Sequence, residues 1–198
     1  MTDTLQPLES LGPMPKTENP AELPPGRKEY LEARKLLEGG KFTEAAMGFH
    51  NALRAFEEAG DRIGAANAAD RLGDACMGRE EWAMALANFE RALAVCVEEE
   101  DSCSQLSLNK KMARCLRKLG QTDRALAVYD DMLEHYRLTK NPKGAVDTLE
   151  QIAETSMEAG DRTGAAAAWR AAAGVHKNFK HTAAAEELLQ KAEAAERG

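Results

Sequence analysis

Hydrophobic and small residues return along the chain at a fixed interval. The clearest signal is an alanine followed four positions later by an aromatic residue, and it occurs four times with a period of 40 residues. The pairs are Ala45 and Phe49, Ala85 and Phe89, Ala125 and Tyr129, and Ala165 and Trp169. Residues four positions apart share one face of a helix. Each pair therefore predicts a helix whose alanine admits a neighbouring helix while the ring fills the adjoining space.

Turn-forming residues keep the same interval. They cluster near positions 40, 80, 120 and 160, and again near 60, 100, 140 and 180. Each 40-residue unit is thus predicted to hold two helices of roughly 15 to 18 residues joined by short turns, which is typical of a helical-hairpin solenoid. The predicted hairpins span about 27–60, 61–100, 101–140 and 141–180, and a capping helix covers 182–196.

Residues 1–26 differ from the rest of the chain. They contain six of the seven prolines and little apolar periodicity. Such a composition predicts a flexible leader, with a role as a partner-binding tail left open.

One eight-residue stretch occurs almost unchanged at two places, as AGDRIGAA from Ala59 and AGDRTGAA from Ala159. The separation is two and a half periods, so the two copies do not occupy equivalent places in the repeat. We interpret both as punctuation, in which glycine ends one helix and aspartate begins the next. Neither copy has the lysine and the preceding strand that a phosphate-binding loop requires.

The units resemble the tetratricopeptide repeat family. In the second unit, Leu72-Gly73 is followed by Cys76 where the family usually has an aromatic residue, and then by Ala85 and Phe89. Alanine replaces the family glycine in the other units, at Ala33, Ala113 and Ala153. The 40-residue period is similar to that of extended-helix variants in adaptor proteins of polarity and receptor clustering. The resemblance implies an all-α fold, a right-handed superhelix of antiparallel helix pairs whose first helices line a concave face.

Composition narrows the possible functions. The net charge is −7 with a pI near 5.3, which argues against general binding to nucleic acid or anionic membranes. No apolar run is long enough to insert in a membrane, and no secretory signal pattern begins the chain, so we expect a cytoplasmic protein.

Motifs for chemistry are absent from the sequence. It has no glycine-rich phosphate loop, no HExxH or GxSxG motif and no Cys/His cluster, and its four histidines fall at unrelated phases of the repeat. The four cysteines, Cys76, Cys96, Cys103 and Cys115, are predicted to be buried small apolar residues. We therefore expect no enzyme activity, no cofactor and no metal.

The most distinctive segment is the predicted helix SQLSLNKKMARCLRKL, about Ser104 to Leu119, which carries five basic residues and no acidic one. Its cations fall on one side, opposite Leu108, Met112 and Cys115. In the tetratricopeptide arrangement, the basic side faces the groove, where it would bind an acidic segment or a C-terminal carboxylate. The predicted groove residues are Lys110, Arg114, Arg117, Lys118, Lys111, Asn67, Arg71, Arg34 and Tyr30.

An alternative remains open both for the basic residues of this helix and for the function of the protein. Acidic residues before this helix and basic residues late in it also suit the helix dipole without any partner. We expect a non-catalytic adaptor or assembly factor that binds another protein in the groove. The alternative is a structural subunit or homo-oligomer that associates through helix edges, and the oligomeric state is left open.

Overall fold

The computed structural model describes residue 23 and residues 26–197, and these residues form nine α-helices and no strand. The predicted leader, 1–26, lies outside the described residues apart from Leu23 and Gly26. The helices are α1 (Arg27–Glu38), α2 (Phe42–Glu58), α3 (Arg62–Gly78), α4 (Trp82–Glu98), α5 (Ser102–Lys118), α6 (Thr122–Leu138), α7 (Pro142–Glu158), α8 (Arg162–Asn178) and α9 (Thr182–Arg197). The predicted all-α class is confirmed.

The helices and turns are unusually regular. From α2 to α8 every helix has 17 residues and each is followed by a three-residue turn. Both AGDR stretches lie at such turns. Gly60 and Gly160 have φ angles of 72° and 81°, a left-handed conformation that glycine adopts without a Cβ penalty. Asp61 and Asp161 then cap the following helix by accepting the backbone N–H three residues later, at 2.8 and 2.9 Å. The interpretation as punctuation is confirmed.

The repeated small and aromatic residues form the core. Ala45, Phe49, Ala85 and Phe89 are all fully buried, as the period predicted. In α3, the first helix of the pair α3 and α4, Gly73 occupies the glycine position of the family, and its missing Cβ leaves room for the Phe89 ring. The equivalent alanines, Ala33, Ala113 and Ala153, are buried as well. Small residues thus mark where first helices approach their partners.

The described residues form two compact units, one ending at Cys115 and the other beginning at Leu116. In the first unit, α1 packs on α2, α2 on α3 and α3 on α4. In the second, α6 packs on α7, α7 on α8 and α8 on α9. Because the turns have only three residues, consecutive helices run antiparallel. Helix α9 completes the second unit by burying Ala185, Leu188 and Ala192.

Candidate interaction surface

Helix α5 has the two-sided character that its sequence predicted. Leu108, Met112 and Cys115 are buried, whereas Arg114 is exposed and Lys110 is half-buried. The helix begins at Ser102 with Asp101 before it, whose carboxylate accepts the N–H of Ser104 at 3.1 Å. An acid at the start and cations near the end suit the helix dipole.

Lys111 is held within the first unit by two carboxylates of α3. Its Nζ lies 2.7 Å from Asp70 Oδ1 and 2.8 Å from Asp74 Oδ1. The same ammonium group stands 5.3 Å from the centre of the Phe89 ring. Only 22% of the Lys111 side chain is exposed, so this charge is largely withdrawn from solvent. Its neutralisation by α3 makes Lys111 a link between helices.

Arg71 completes this network from α3. Its Nη1 donates to Asp74 Oδ2 at 3.0 Å, and Tyr30 also hydrogen-bonds with it. Burial works against the guanidinium charge, but Asp70 and then Asp74 outweigh burial, so the pKa of Arg71 rises above its ordinary value. Two carboxylates and two cations therefore form a nearly neutral cluster.

Asp74 is the least favourably placed member of the cluster. Burial, followed by repulsion from Asp70, raises the pKa of the Asp74 carboxyl above its ordinary value. Lys111 and Arg71 act in the opposite direction without cancelling the effect. The cluster thus depends on both cations to keep two neighbouring carboxylates together.

Arg117 has a similar role in the second unit, with α7 in place of α3. Its Nη2 lies 2.7 Å from Glu158 Oε1, and its Nη1 donates to Gln151 Oε1 at 2.6 Å. Glu154 stands further away, at 3.5 Å. Hydrogen bonding by Arg117 lowers the pKa of the Glu158 carboxyl below its ordinary value. Arg117 therefore connects the end of α5, which belongs to the second unit, to α7.

Arg114 is placed differently from these two cations. Its side chain is exposed, and its guanidinium carbon lies 5.8 Å from the centre of the Trp82 ring at the start of α4. A guanidinium on an indole face is held by the ring quadrupole while its N–H groups stay directed to solvent. Lys110 lies one helical turn before Arg114, and the exposed Lys118 one turn after it.

The remaining predicted residues lie in different surroundings. Tyr30 is 3% exposed and packs edge to face against Phe49, with ring centres 5.4 Å apart, so its ring belongs to the core. Asn67 is buried, and Arg34 makes a 3.6 Å ion pair with Glu38 on its own helix. Burial of Tyr30 follows from its place beside the aromatic position of the next helix.

Sequence reasoning missed Trp82 as a neighbour of Arg114. It also missed the ion pairs of Lys111 and Arg117, although the repeat contains a signal for them. Lys111 lies 41 and 37 positions after its two aspartates, and Glu158 lies 41 positions after Arg117. Residues of opposite charge that are about one period apart lie on successive first helices, where they can form ion pairs.

No group of three or more metal-ligating side chains with metal-site geometry occurs among residues 23 and 26–197. Over the same described part of the chain, no helix has the length and apolarity needed to cross a membrane.

The sequence and the fold are similar to those of known repeat proteins. Residues 64–138 match the family model of the tetratricopeptide repeat. Among solved structures, BtubC (BKLC) from P. vanneervenii aligns with a TM-score of 0.63 and 18% identity, over 85% of this chain and 75% of its own. A putative kinesin light chain of Podosopora anserina with nearly identical TPR-like repeats aligns at 0.59 and 15% identity, over 91% and 97%. A substituted form of that light chain gives 0.59 and 16%, over 90% and 96%.

No curated protein matches the sequence significantly. The predicted resemblance is nevertheless confirmed, because residues 64–138 match the tetratricopeptide repeat model and the solved neighbours have the same fold. Tetratricopeptide repeats generally mediate protein–protein interaction or scaffolding and are typically non-catalytic.

Proposed function

We propose that this protein is a non-catalytic adaptor or assembly factor that holds an acidic segment of a partner protein against Lys110 and Arg114 of α5. In this proposal, residues 27–198 act as one domain of four hairpins with a C-terminal capping helix. The observation that carries it is the exposed Arg114 guanidinium lying over the Trp82 ring. We place its activity in the cytoplasm, where its four free thiols would stay reduced.

Trp82 and Arg114 together suit an interaction site. The indole positions the guanidinium, so less side-chain freedom is lost when a carboxylate binds. Arginine can receive a carboxylate with two parallel hydrogen bonds. Tryptophan and arginine are also among the residues that are enriched at binding hot spots, the few side chains that supply most of the binding free energy.

The spacing of Lys110 and Arg114 favours an extended partner. One helical turn separates their Cα atoms by about 6 Å along α5. In a β-strand, side chains two positions apart are separated by about 6.6 Å and point to the same side. A partner segment with acidic residues at alternate positions therefore matches this pair of cations.

Lys111 and Arg117 receive a supporting role in this proposal. Their ion pairs with α3 and α7 already neutralise them, so exchanging those partners for a ligand would bring little net gain. Arg71 and Asn67 are likewise taken up in the packing of α3. Lys118 extends the line of Lys110 and Arg114 by one turn.

The test is a binding measurement with synthetic acidic peptides. A fluorescent peptide with glutamate at alternate positions is titrated with the protein at low salt, with its C-terminus either free or amidated. Lys110→Glu with Arg114→Glu should weaken binding at least about tenfold, since two attractive charges become repulsive. Trp82→Ala should weaken it less. A larger effect of the free carboxylate would identify a C-terminal ligand.

The matched control reverses Lys28 and Lys41 to glutamate. Both are exposed and lie at helix starts, where an acidic residue is tolerated, so net charge changes equally without touching α5. If the control weakens binding as much as the α5 variant, net charge alone is responsible and the proposed site is wrong. Equal melting temperatures for the two variants show that both remain folded.

A further inference from the structure

The turns that follow the second helices differ in charge between the two units. In the first unit, the turn from α4 to α5 contains the unbroken acidic run Glu98-Glu99-Glu100-Asp101. In the second unit, residues 135–146 and 174–185, which surround the turns after α6 and α8, contain no acidic residue at all. A protein with a net charge of −7 therefore has a second strongly cationic region in addition to α5.

The two basic turns lie at the same edge of the second unit. Val146, near the start of α7, packs with Ala172 and Ala173 near the end of α8 and with Ala185 at the start of α9. The turn before α7 and the turn after α8 are thus both joined to one cluster of buried residues. Antiparallel packing of α7 on α8 leads to the same result.

This edge combines unpaired cations with exposed apolar side chains. Leu138 and Phe179 are 66% and 55% exposed, although residues of this size are usually covered. The nearby lysines are exposed and make no ion pair with any described residue. We define the basic edge as Leu138, Lys140, Lys143, Lys177, Phe179 and Lys180.

The acidic turn has matching properties. We define it as residues 97–101. Glu99 and Glu100 are exposed and form no ion pair within the described part of the chain, and Val97 is 55% exposed. Glu98 is paired with Arg62, and Asp101 caps α5, which fixes the shape of the turn. An apolar side chain beside fixed carboxylates complements an edge made of lysines with Leu138 and Phe179.

We propose that the basic edge of one copy binds the acidic turn of a second copy of this chain. The lysines would pair with Glu99 and Glu100, while Val97 would cover part of the apolar surface of Leu138 and Phe179. Charge sets the orientation of such a contact, and burial of the apolar side chains adds affinity. The contact uses no residue of the Lys110 and Arg114 site, so either proposal can fail without the other.

A second copy fits these observations better than a lipid surface or a nucleic acid. Lysines beside exposed apolar side chains also occur on proteins that bind anionic membranes. However, a net charge of −7 opposes approach to any extended anionic surface, whereas the acidic turn offers the exposed carboxylates of Glu99 and Glu100. The acidic turn would also be left unexplained by a lipid or nucleic acid.

The first measurement is the mass of the protein in solution. Sedimentation or light scattering of the full chain at low salt should show a weight-average mass that increases with concentration. At high salt the mass should return to that of a monomer, because salt screens exposed charges. A mass that stays monomeric at every concentration in low salt would overturn the proposal.

Charge exchange tests the two surfaces directly. Lys140→Glu with Lys180→Glu, and separately Glu99→Lys with Glu100→Lys, should each reduce the association constant at least about tenfold. Mixing these two variants should restore association, since every reversed surface then meets an opposite charge. Lys28→Glu with Lys41→Glu is the control and should associate like the parent. A mixture that stays monomeric contradicts the proposal even if both variants are folded.

Vesicle sedimentation tests whether the basic edge binds a lipid surface instead of a second copy of this chain. Sedimentation with phosphatidylcholine vesicles, with and without phosphatidylserine, should show no protein bound through the basic edge. If the anionic vesicles bind the parent protein but not Lys140→Glu with Lys180→Glu, while the protein stays monomeric in solution, the basic edge binds lipid and the proposal is wrong.

Discussion

At the scale of single residues, the turns place a left-handed residue every 20 positions. Four of these residues are glycines, Gly40, Gly60, Gly120 and Gly160, and four have side chains, Glu80, Glu100, Lys140 and Lys180. A side chain in this conformation brings its Cβ close to the following carbonyl oxygen. The four turns with a side chain at the left-handed position therefore carry a conformational strain that the four glycine turns avoid.

Glu80 offers the simplest test of this cost. Its φ is 60°, and its side chain makes no ion pair with any described residue. Glu80→Gly should raise the free energy of unfolding by about 0.5 to 1 kcal/mol, since relief of the left-handed strain exceeds the extra entropy of glycine. Chemical denaturation measures the change. The reverse substitution, Gly40→Ala at φ 71°, should destabilise, and a stable Gly40→Ala variant would contradict the explanation.

The cysteines give a second prediction at this scale. Cys76, Cys96 and Cys115 are buried and Cys103 is exposed. Burial raises the pKa of Cys96 and of Cys115 to about 11, so these thiols are neutral as well as inaccessible at neutral pH. A thiol reagent should therefore react rapidly with one cysteine per folded chain and with four after unfolding.

Cys103→Ser is the variant that checks this assignment. It should abolish the rapid reaction and leave three slowly reacting thiols. Rapid reaction of a second thiol in the folded protein would show that one of the buried cysteines is accessible.

At this scale, the local structure could be predicted from the sequence where a residue type has a strong conformational preference. Gly60 and Asp61 indicated a turn because glycine favours the left-handed region and aspartate favours helix starts. Glu80 gave no such signal, because glutamate has no preference for that conformation. The expectation that all four cysteines are buried was wrong for Cys103, which is exposed near the start of α5.

At the scale of helices, the cluster of Asp70, Arg71, Asp74 and Lys111 joins α3 to α5 through charges that are only partly solvated. In such clusters, the attraction between opposite charges is offset by the free-energy cost of removing each charge from water. The raised pKa of Asp74 shows that this balance is incomplete.

Asp74→Asn tests the cluster through the pH dependence of stability. The ordinary pKa of the carboxyl is near 3.8, and the folded protein holds its proton to higher pH than the unfolded chain does. The contribution of Asp74 to the free energy of unfolding therefore decreases as pH rises from that value through the raised pKa. Consequently, the stability of the parent minus that of Asp74→Asn should fall over this range.

Urea denaturation across this pH range measures the difference. Glu158→Gln provides the opposite sign, because Arg117 lowers the pKa of Glu158. Its contribution is present above the ordinary glutamate pKa and is lost as pH falls, and exposure to solvent keeps it small. A difference for Asp74 that increases with pH would mean that the cations dominate the cluster.

The faces of α5 were predictable from its own sequence, but the roles of its cations were not. A helical wheel places Leu108, Met112 and Cys115 opposite the charges, and all three are buried. It does not show which cations meet carboxylates of other helices. Lys111 reaches α3, whereas Arg114 lies over Trp82.

At the scale of the whole molecule, each helix depends on its neighbours to cover its apolar face. Helix α9 supplies that cover for α8 with Leu188, Ala185 and Ala192, while its other positions are mostly polar or alanine. Without α9, the apolar face of α8 would lie open to water.

Leu188→Ala should therefore lower the stability of the second unit by about 2 to 4 kcal/mol, as expected for a leucine with 4% exposure. Leu189→Ala is the neighbouring control, and the smaller burial of Leu189 predicts a smaller loss. Thermal unfolding followed by circular dichroism compares the two. Equal losses would indicate that α9 does not pack through Leu188.

The period of the fold was predictable because each repeat buries its alanine and its aromatic residue, although Trp169 of the fourth unit is only half-buried. The opposite charges of the acidic turn and the basic edge were visible in the sequence, but their meaning depends on exposure. Leu138 and Phe179 look like core residues in the sequence, and only the structure shows that they are open to solvent.

The regular turns also limit how a gene for this protein can change length. From α2 to α8, each helix and the turn after it together take 20 residues, but first and second helices alternate, so only insertions or deletions of 40 residues keep each helix in its own role. The two AGDR stretches are nearly identical and lie five helices apart. Recombination between them would join α2 directly to α8 and place a second helix where a first helix belongs. The product would keep perfect turns and lose its packing.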